Sequence, residues 1–121
     1  MGWHDSWRQY FAGTGRSCPC NVSQVIGSVV QALLARPERR FSLAEQAFFV
    51  TWLEAQPPAM LAQVKGLVAR GQLAFLGGGW SMPDEACPTY IELLDNVALG
   101  QRKIAENFGP GALPTVAWQV R

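Results

Sequence analysis

What most narrows the fold of this chain is the way the period of its apolar residues changes along the sequence. From Val22 they recur at Val22, Val25, Ile26, Val29, Val30, Leu33 and Leu34, the i, i+3, i+4, i+7 spacing of one helix face. A helix is therefore expected from Val22 to about Arg36, stopped by Pro37, whose ring and missing N–H cannot continue it. Phe41-Ser42-Leu43-Ala44 then alternates large and small side chains as a short buried strand does, with Glu45 near its C-terminal end. Gln46 to Glu54 returns to helical period. Pro57-Pro58 interrupts or restarts it, and Met60, Leu61, Val64, Leu67 and Val68 carry the stripe to a glycine cap at Gly71. Leu73 to Leu76 is a second short apolar run, leading into Gly77-Gly78-Gly79. Tyr90, Leu93, Leu94, Val97, Ile104 and Phe108 mark a third helix closed by Gly109-Pro110, and Thr115 to Val120 reads as a last strand.

Helix, strand, helix, strand, helix, strand with short connections is the grammar of a parallel sheet wrapped by helices, either doubly wound or closed into a barrel. In such folds ligands sit in the loops that follow the C-terminal ends of the strands. The stretch Phe75-Leu76-Gly77-Gly78-Gly79-Trp80-Ser81-Met82-Pro83-Asp84-Glu85-Ala86 occupies one of those loops.

The bulk numbers remove several function classes. At 121 residues, 49% of them hydrophobic, the chain has the size and apolar content of one soluble domain, and no internal repeat or linker divides it. Lys plus Arg is 10 and Asp plus Glu is 9, so no field draws the chain to nucleic acid or an anionic membrane. Neither partner is expected. No run approaches the roughly 18 apolar residues of a membrane span, and the first ten residues lack the apolar core of a signal peptide.

Each chemical candidate has a plainer alternative. Gly77 to Gly79 lack both the G-x-G-x-x-G spacing and the following Lys-Ser/Thr of a phosphate cradle, so a tight strand-to-helix turn with positive φ is expected instead. Asp84 and Glu85 are adjacent in sequence, whereas glycosidase carboxyl pairs stand about 5 to 10 Å apart and come from different elements. Ahead of a helix they suit its positive N-terminal end. His4, Cys18 and Cys20 invite a zinc reading, but structural zinc takes four ligands and the Cys18-Pro19-Cys20 spacing is too tight; free cysteines are expected. Asn21-Val22-Ser23 fits the N-glycosylation pattern, and Asn21 or Ser23 equally suits a helix N-cap. Trp3, Trp7, Trp52, Trp80 and Trp118 are many for this length; most belong to a core, while a strand-end tryptophan is a platform for the apolar face of a sugar.

Four stretches taken together carry a resemblance: Gly2-Trp3 followed by Tyr10-Phe11; Arg39-Arg40-Phe41 through Glu45-Gln46-Ala47-Phe48-Phe49; Gly78-Gly79-Trp80-Ser81-Met82-Pro83-Asp84-Glu85-Ala86; and Val116-Ala117-Trp118. Their order and spacing resemble the N-terminal catalytic domain of the class II α-mannosidases, glycoside hydrolase family 38, and most of all the lysosomal type. The resemblance covers residues 1–121. It implies part of a seven-stranded β/α barrel, about three strand-helix units, from a zinc-dependent retaining glycosidase that removes terminal α-mannose from glycans through a covalent intermediate. It also implies a lysosomal or vacuolar setting.

Carried over residue by residue, the resemblance gives Trp3 as the tryptophan that packs against bound mannose. Of the family's His-x-Asp-x-Gly-Trp zinc pattern only the end is present, at Met1-Gly2-Trp3, and His4 lies after it. The family's Asp-Pro-Phe-Gly, whose aspartate is nucleophile and zinc ligand, would begin at the position of Arg121, and a guanidinium can neither attack carbon nor bind zinc. No catalytic or metal-ligating residue is therefore assigned within the chain. The expectation is a fragment or truncated form of an α-mannosidase that is inactive alone, binds no zinc itself, and self-associates through uncovered barrel edges. The alternative is a non-catalytic carbohydrate-binding or interaction product of the same fold.

Overall fold

The computed structural model describes residues 5–84, 86 and 89–119. Its elements are α1 (Trp7–Ala12), α2 (Val22–Ala35), β1 (Phe41–Glu45), α3 (Ala47–Glu54), α4 (Pro58–Ala69), β2 (Leu73–Gly79) and α5 (Tyr90–Phe108), then a 3-10 turn at Pro110–Ala112. β1 and β2 pair in parallel, Phe41 against Leu73 and Leu43 against Phe75, with α3 and α4 as the crossover between them. The architecture is α/β with a parallel sheet, as the alternating periods predict.

The helix ends follow from their sequences. Asn21 caps α2 by accepting the Gln24 backbone N–H at 3.0 Å, the structural role expected for it. The helix stops at Ala35 and Arg36 is extended, φ −143° and ψ 120°, the conformation that a following proline imposes. At the same end Gln72, just ahead of β2, donates its amide to the carbonyls of Leu33 at 2.8 Å and Arg36 at 3.0 Å. A buried side chain thus takes up the orphan acceptors that a helix C-terminus leaves.

The core lies between the sheet and its helices. Phe49, Val64, Leu67, Leu73 and Ile104 are at most 1% exposed. Phe49 stands 5.8 Å from Phe75 and 6.1 Å from Phe108, ring centre to ring centre, so one aromatic cluster joins α3, β2 and α5. Each fully buried side chain of this size contributes roughly 1.5–3 kcal/mol.

One expectation needs correction, and one element was not foreseen. Thr115 to Val120 is not a strand among its described residues, 115–119; Val120 lies outside them. The segment runs beside β2, where the Gly77 N–H donates to the Val116 carbonyl at 2.8 Å. Gly77 and Gly78 have φ of 62° and 73°, and a left-handed pair turns successive peptides out of the ladder direction, so no regular pairing can propagate there. The unforeseen element is α1, over residues where no element is predicted from the sequence. Its signal is a capping box: the Ser6 hydroxyl accepts the Gln9 N–H, and the Gln9 side-chain oxygen accepts the Ser6 N–H at 2.6 Å. Six residues are too few for a periodic stripe, so only the box could have revealed it.

Candidate functional site

Both strands end at the same side of the molecule, and there the glycine-rich stretch does more than turn. Between the pairs Leu43–Phe75 and Glu45–Gly79, β1 advances two residues while β2 advances four, so β2 carries a bulge of two extra residues at Gly77 and Gly78. The expected turn with positive φ is therefore a bulge inside the last part of a strand. Gly79 needs no unusual φ. A Cβ there would lie 2.8 Å from the Asn96 side-chain nitrogen, and one on Gly100 of α5 would fall onto the backbone of Gly78, Gly79 and Trp80. These glycines let helix α5 lie directly against the strand end.

The backbone groups freed by the bulge are then satisfied from both sides. The Trp80 carbonyl accepts the Ala47 N–H at 2.8 Å and, at 3.2 Å, shares the Gln46 N–H with the Gly79 carbonyl at 3.0 Å; Ala47 opens α3 and Gln46 is its N-cap, so neither donor has a partner within that helix. The Trp80 N–H donates to the Asn96 carbonyl at 3.0 Å. The Asn96 side chain accepts the Ser81 N–H at 2.8 Å and its hydroxyl at 3.1 Å, and donates to the Ser81 carbonyl at 2.9 Å. One residue on, the Trp118 indole N–H points to the Met82 sulfur at 3.1 Å. The loop is thus fixed to α3, to α5 and to the terminal segment.

The acids in this region serve the backbone. Asp84 accepts the Ala86 N–H at 2.9 Å and closes its own turn. The start of α5 is held by Glu92, which accepts the Thr89 N–H at 2.9 Å in a capping box; this helix-holding role was expected of Asp84 and Glu85, and Glu85 lies outside the described residues. Glu45, half-buried at the end of β1, lines a small apolar cavity behind the sheet beside Ile26 and Phe48. Burial pushes its carboxyl above the ordinary range, opposed by the Met82 backbone N–H.

Two clefts open on this side. One of about 420 Å³ is lined by Ser81, Met82, Pro83, Asp84, Glu92 and Asn96. Another of about 310 Å³ lies between Gly77, Gly79, Gln101, Val116 and Trp118, and Trp118 is 44% exposed. A larger cavity, about 500 Å³ beside Lys65, Val68 and Phe108, sits where the strands begin and has no carboxylate or imidazole in its lining. Trp3, the sugar platform implied by the resemblance, and His4 lie outside the described residues. Among the described residues no three His, Cys, Asp or Glu side chains are grouped so that they could hold a metal ion, so the described residues do not fit the zinc site that the resemblance implies.

Cys18 and Cys20, expected free, are joined in a disulfide. Their loop is drawn tight by Asp5, whose carboxylate accepts the N–H groups of Arg16 at 3.0 Å, Ser17 at 2.8 Å and Cys18 at 3.3 Å. Desolvation acts to raise the Asp5 pKa, but these hydrogen bonds together hold it below the ordinary carboxylate value. This cluster also had no counterpart in the sequence reading, since Asp5 is remote in sequence from the amides it binds. Among the described residues, no helix is long and apolar enough to cross a membrane.

Comparison with known proteins gives this geometry its context. A family model described as the glycosyl hydrolases family 38 N-terminal domain matches residues 1–120. The "Probable alpha-mannosidase" of Arabidopsis thaliana is 42% identical over 121 residues, 99% of this chain and 11% of that protein. The lysosomal alpha-mannosidases of Bos taurus and Homo sapiens are each 40% identical over 121 residues, again 99% of this chain and 12% of theirs. The chain therefore spans about an eighth or less of the length of the curated relatives it matches.

Proposed function

Because the chain belongs to glycosyl hydrolases family 38, matching its N-terminal domain over residues 1–120, we propose that it forms part of the catalytic barrel of an α-mannosidase. The observation that carries this reading is the strand-end loop of residues 80–84. It follows a parallel strand at its C-terminal end, where β/α folds keep their sites, and it is bonded to α3, α5 and Trp118. A loop fixed on three sides is a suitable wall for a site whose reacting groups come from other segments.

In this reading the substrate is a glycan ending in α-mannose, and Trp3 is the platform for its sugar ring. Zinc would be held by histidine and aspartate supplied from outside the 121 residues, and the nucleophile and the acid/base carboxyl likewise; no step of the chemistry is assigned to a side chain of this chain. The intact protein would work in a lysosome or vacuole. Alone, the chain would present the free edge of β1 and the exposed Tyr90, Ile91 and Leu94 of α5, and would self-associate through them.

The test is an α-mannoside hydrolysis assay with zinc added, on the 121-residue chain and on a longer product that also contains the His-x-Asp-x-Gly-Trp and Asp-Pro-Phe-Gly segments and the segment bearing the acid/base carboxyl. Hydrolysis only by the longer product, lost on Trp3→Ala, supports the reading. Hydrolysis by the short chain, or by neither, contradicts it.

A further inference from the structure

We infer that Asn96 of α5 is a positioning residue, whose side-chain amide holds Ser81 and thereby sets Met82 against the Trp118 indole at the strand ends. Asn96 offers the loop what a neighbouring strand would offer, an acceptor for the Ser81 N–H at 2.8 Å and a donor to the Ser81 carbonyl at 2.9 Å, with the Ser81 hydroxyl as a third bond at 3.1 Å. These bonds fix which end of the amide is oxygen, because only one orientation satisfies both. Space for the amide is made by Gly79, where any Cβ would lie 2.8 Å from the Asn96 nitrogen. Four residues further along the same helix face, Gly100 lets α5 approach closely enough for the bonds to form.

Ser81 and Met82 are consecutive, and the Met82 sulfur accepts the Trp118 indole N–H at 3.1 Å. Asn96 does not touch Trp118 in any of these bonds, so its influence passes through the loop. The consequence for sugar chemistry rests on the function proposed above. The placement itself does not, and its test uses no sugar.

The experiment is nuclear magnetic resonance of the whole 121-residue chain, reading amide exchange at Ser81 and Trp80 and the Trp118 indole N–H signal. Asn96→Leu is expected to speed exchange of the Ser81 amide about tenfold, the size of effect for losing a modest local hydrogen bond. It should also move the Trp118 indole signal to where Met82→Leu puts it. The Trp80 amide, bonded to the Asn96 backbone carbonyl, should keep its protection and so reports that α5 still lies on the strand.

Asn96→Asp separates positioning from bulk. An ionised carboxylate still accepts the Ser81 N–H but cannot donate to the Ser81 carbonyl, against which it sets a second oxygen, while a protonated one can make both bonds. The carboxylates facing this cleft, Asp84 from the loop and Glu92 from α5, both oppose its ionisation. The Trp118 signal should therefore be displaced near neutral pH and return toward its wild-type position on acidification, measured against the wild type at each pH, while the Ser81 N–H keeps its acceptor throughout. If Asn96→Leu also strips protection from Trp80, the Asn96→Asp titration decides alone. An unmoved Trp118 signal in Asn96→Leu with Trp80 still protected, or no recovery of Asn96→Asp at low pH, overturns the inference.

Discussion

Two buried glutamines of this fold should respond to the same substitution with opposite signs. Gln46 is 0% exposed, and neither its side-chain oxygen nor its nitrogen has a hydrogen-bond partner among the described residues. Gln72 is 2% exposed, yet its nitrogen bonds the Leu33 and Arg36 carbonyls and its oxygen accepts from Arg70 at 3.1 Å. A buried polar group without a partner costs about 1–3 kcal/mol, and methionine has nearly the shape of glutamine with none of that penalty. Gln46→Met should therefore stabilise the chain by about 1–3 kcal/mol. Gln72→Met should destabilise it by at least about 2 kcal/mol, because it strands the carbonyls at the end of α2. For 121 residues at about 2.1 cal/mol/K each, the unfolding entropy is about 0.25 kcal/mol/K, so each kcal/mol moves Tm by about 4 °C. Urea titration followed by circular dichroism gives both signs directly, at constant m-value. A destabilised Gln46→Met, or a neutral Gln72→Met, would refute the reasoning that hydrogen-bond satisfaction alone separates these two side chains.

Further outcomes follow from the same contacts. Gly100→Ala should destabilise by about 1–3 kcal/mol in thermal melts, since the overlap with the backbone of Gly78, Gly79 and Trp80 outweighs the roughly 1 kcal/mol that alanine gains in a helix; a stabilised variant would show that α5 does not lie against the bulge. The Asp5 pKa is lowered on folding, so its stabilisation is present above the unfolded carboxylate range and is lost as pH falls through the folded value. Asp5→Asn should thus lower stability at neutral pH and lose that effect in acid, as followed by urea midpoints across pH. Glu45 has the opposite sign: its raised pKa favours the folded state below the unfolded value, and that contribution disappears as pH rises through the folded one. Glu45→Gln should then gain on wild type as pH rises through the folded value, and a flat difference across pH would contradict the role of burial.

What the sequence disclosed and what it hid divide along physical lines. α2, β1, α4 and α5 are legible because each repeats a period over several turns or alternations, and Asn21 and Pro37 punctuate them with local chemistry. Even the family shows in short runs such as Gly78-Gly79-Trp80. The hidden features depend on residues distant in the chain. Gly79 reads as a turn residue until Asn96, which fills the space of its missing side chain, is brought beside it by α5. Gln46 and Gln72 look alike in sequence, and only the fold gives Gln72 its carbonyls. Asp5 meets the amides of Arg16 to Cys18 only after α1 turns back, and Thr115 to Gln119 loses its strand geometry to the φ angles of a neighbouring segment. At the site, residues 80–84 fall within the stretch 75–86 read as a strand-end loop, although residues 75–79 belong to β2, and the anchor Asn96 carries no motif because only the packing of α5 brings it to Ser81.

In the function proposed here, this chain is a wall of an α-mannosidase barrel whose reacting groups lie in other segments. The measurement that tests it most directly is zinc-supplemented α-mannoside hydrolysis by the 121-residue chain beside the longer product. No hydrolysis above buffer is expected for the former and zinc-dependent turnover for the latter. Turnover by the short chain alone, or a longer product inert with zinc present, would contradict it.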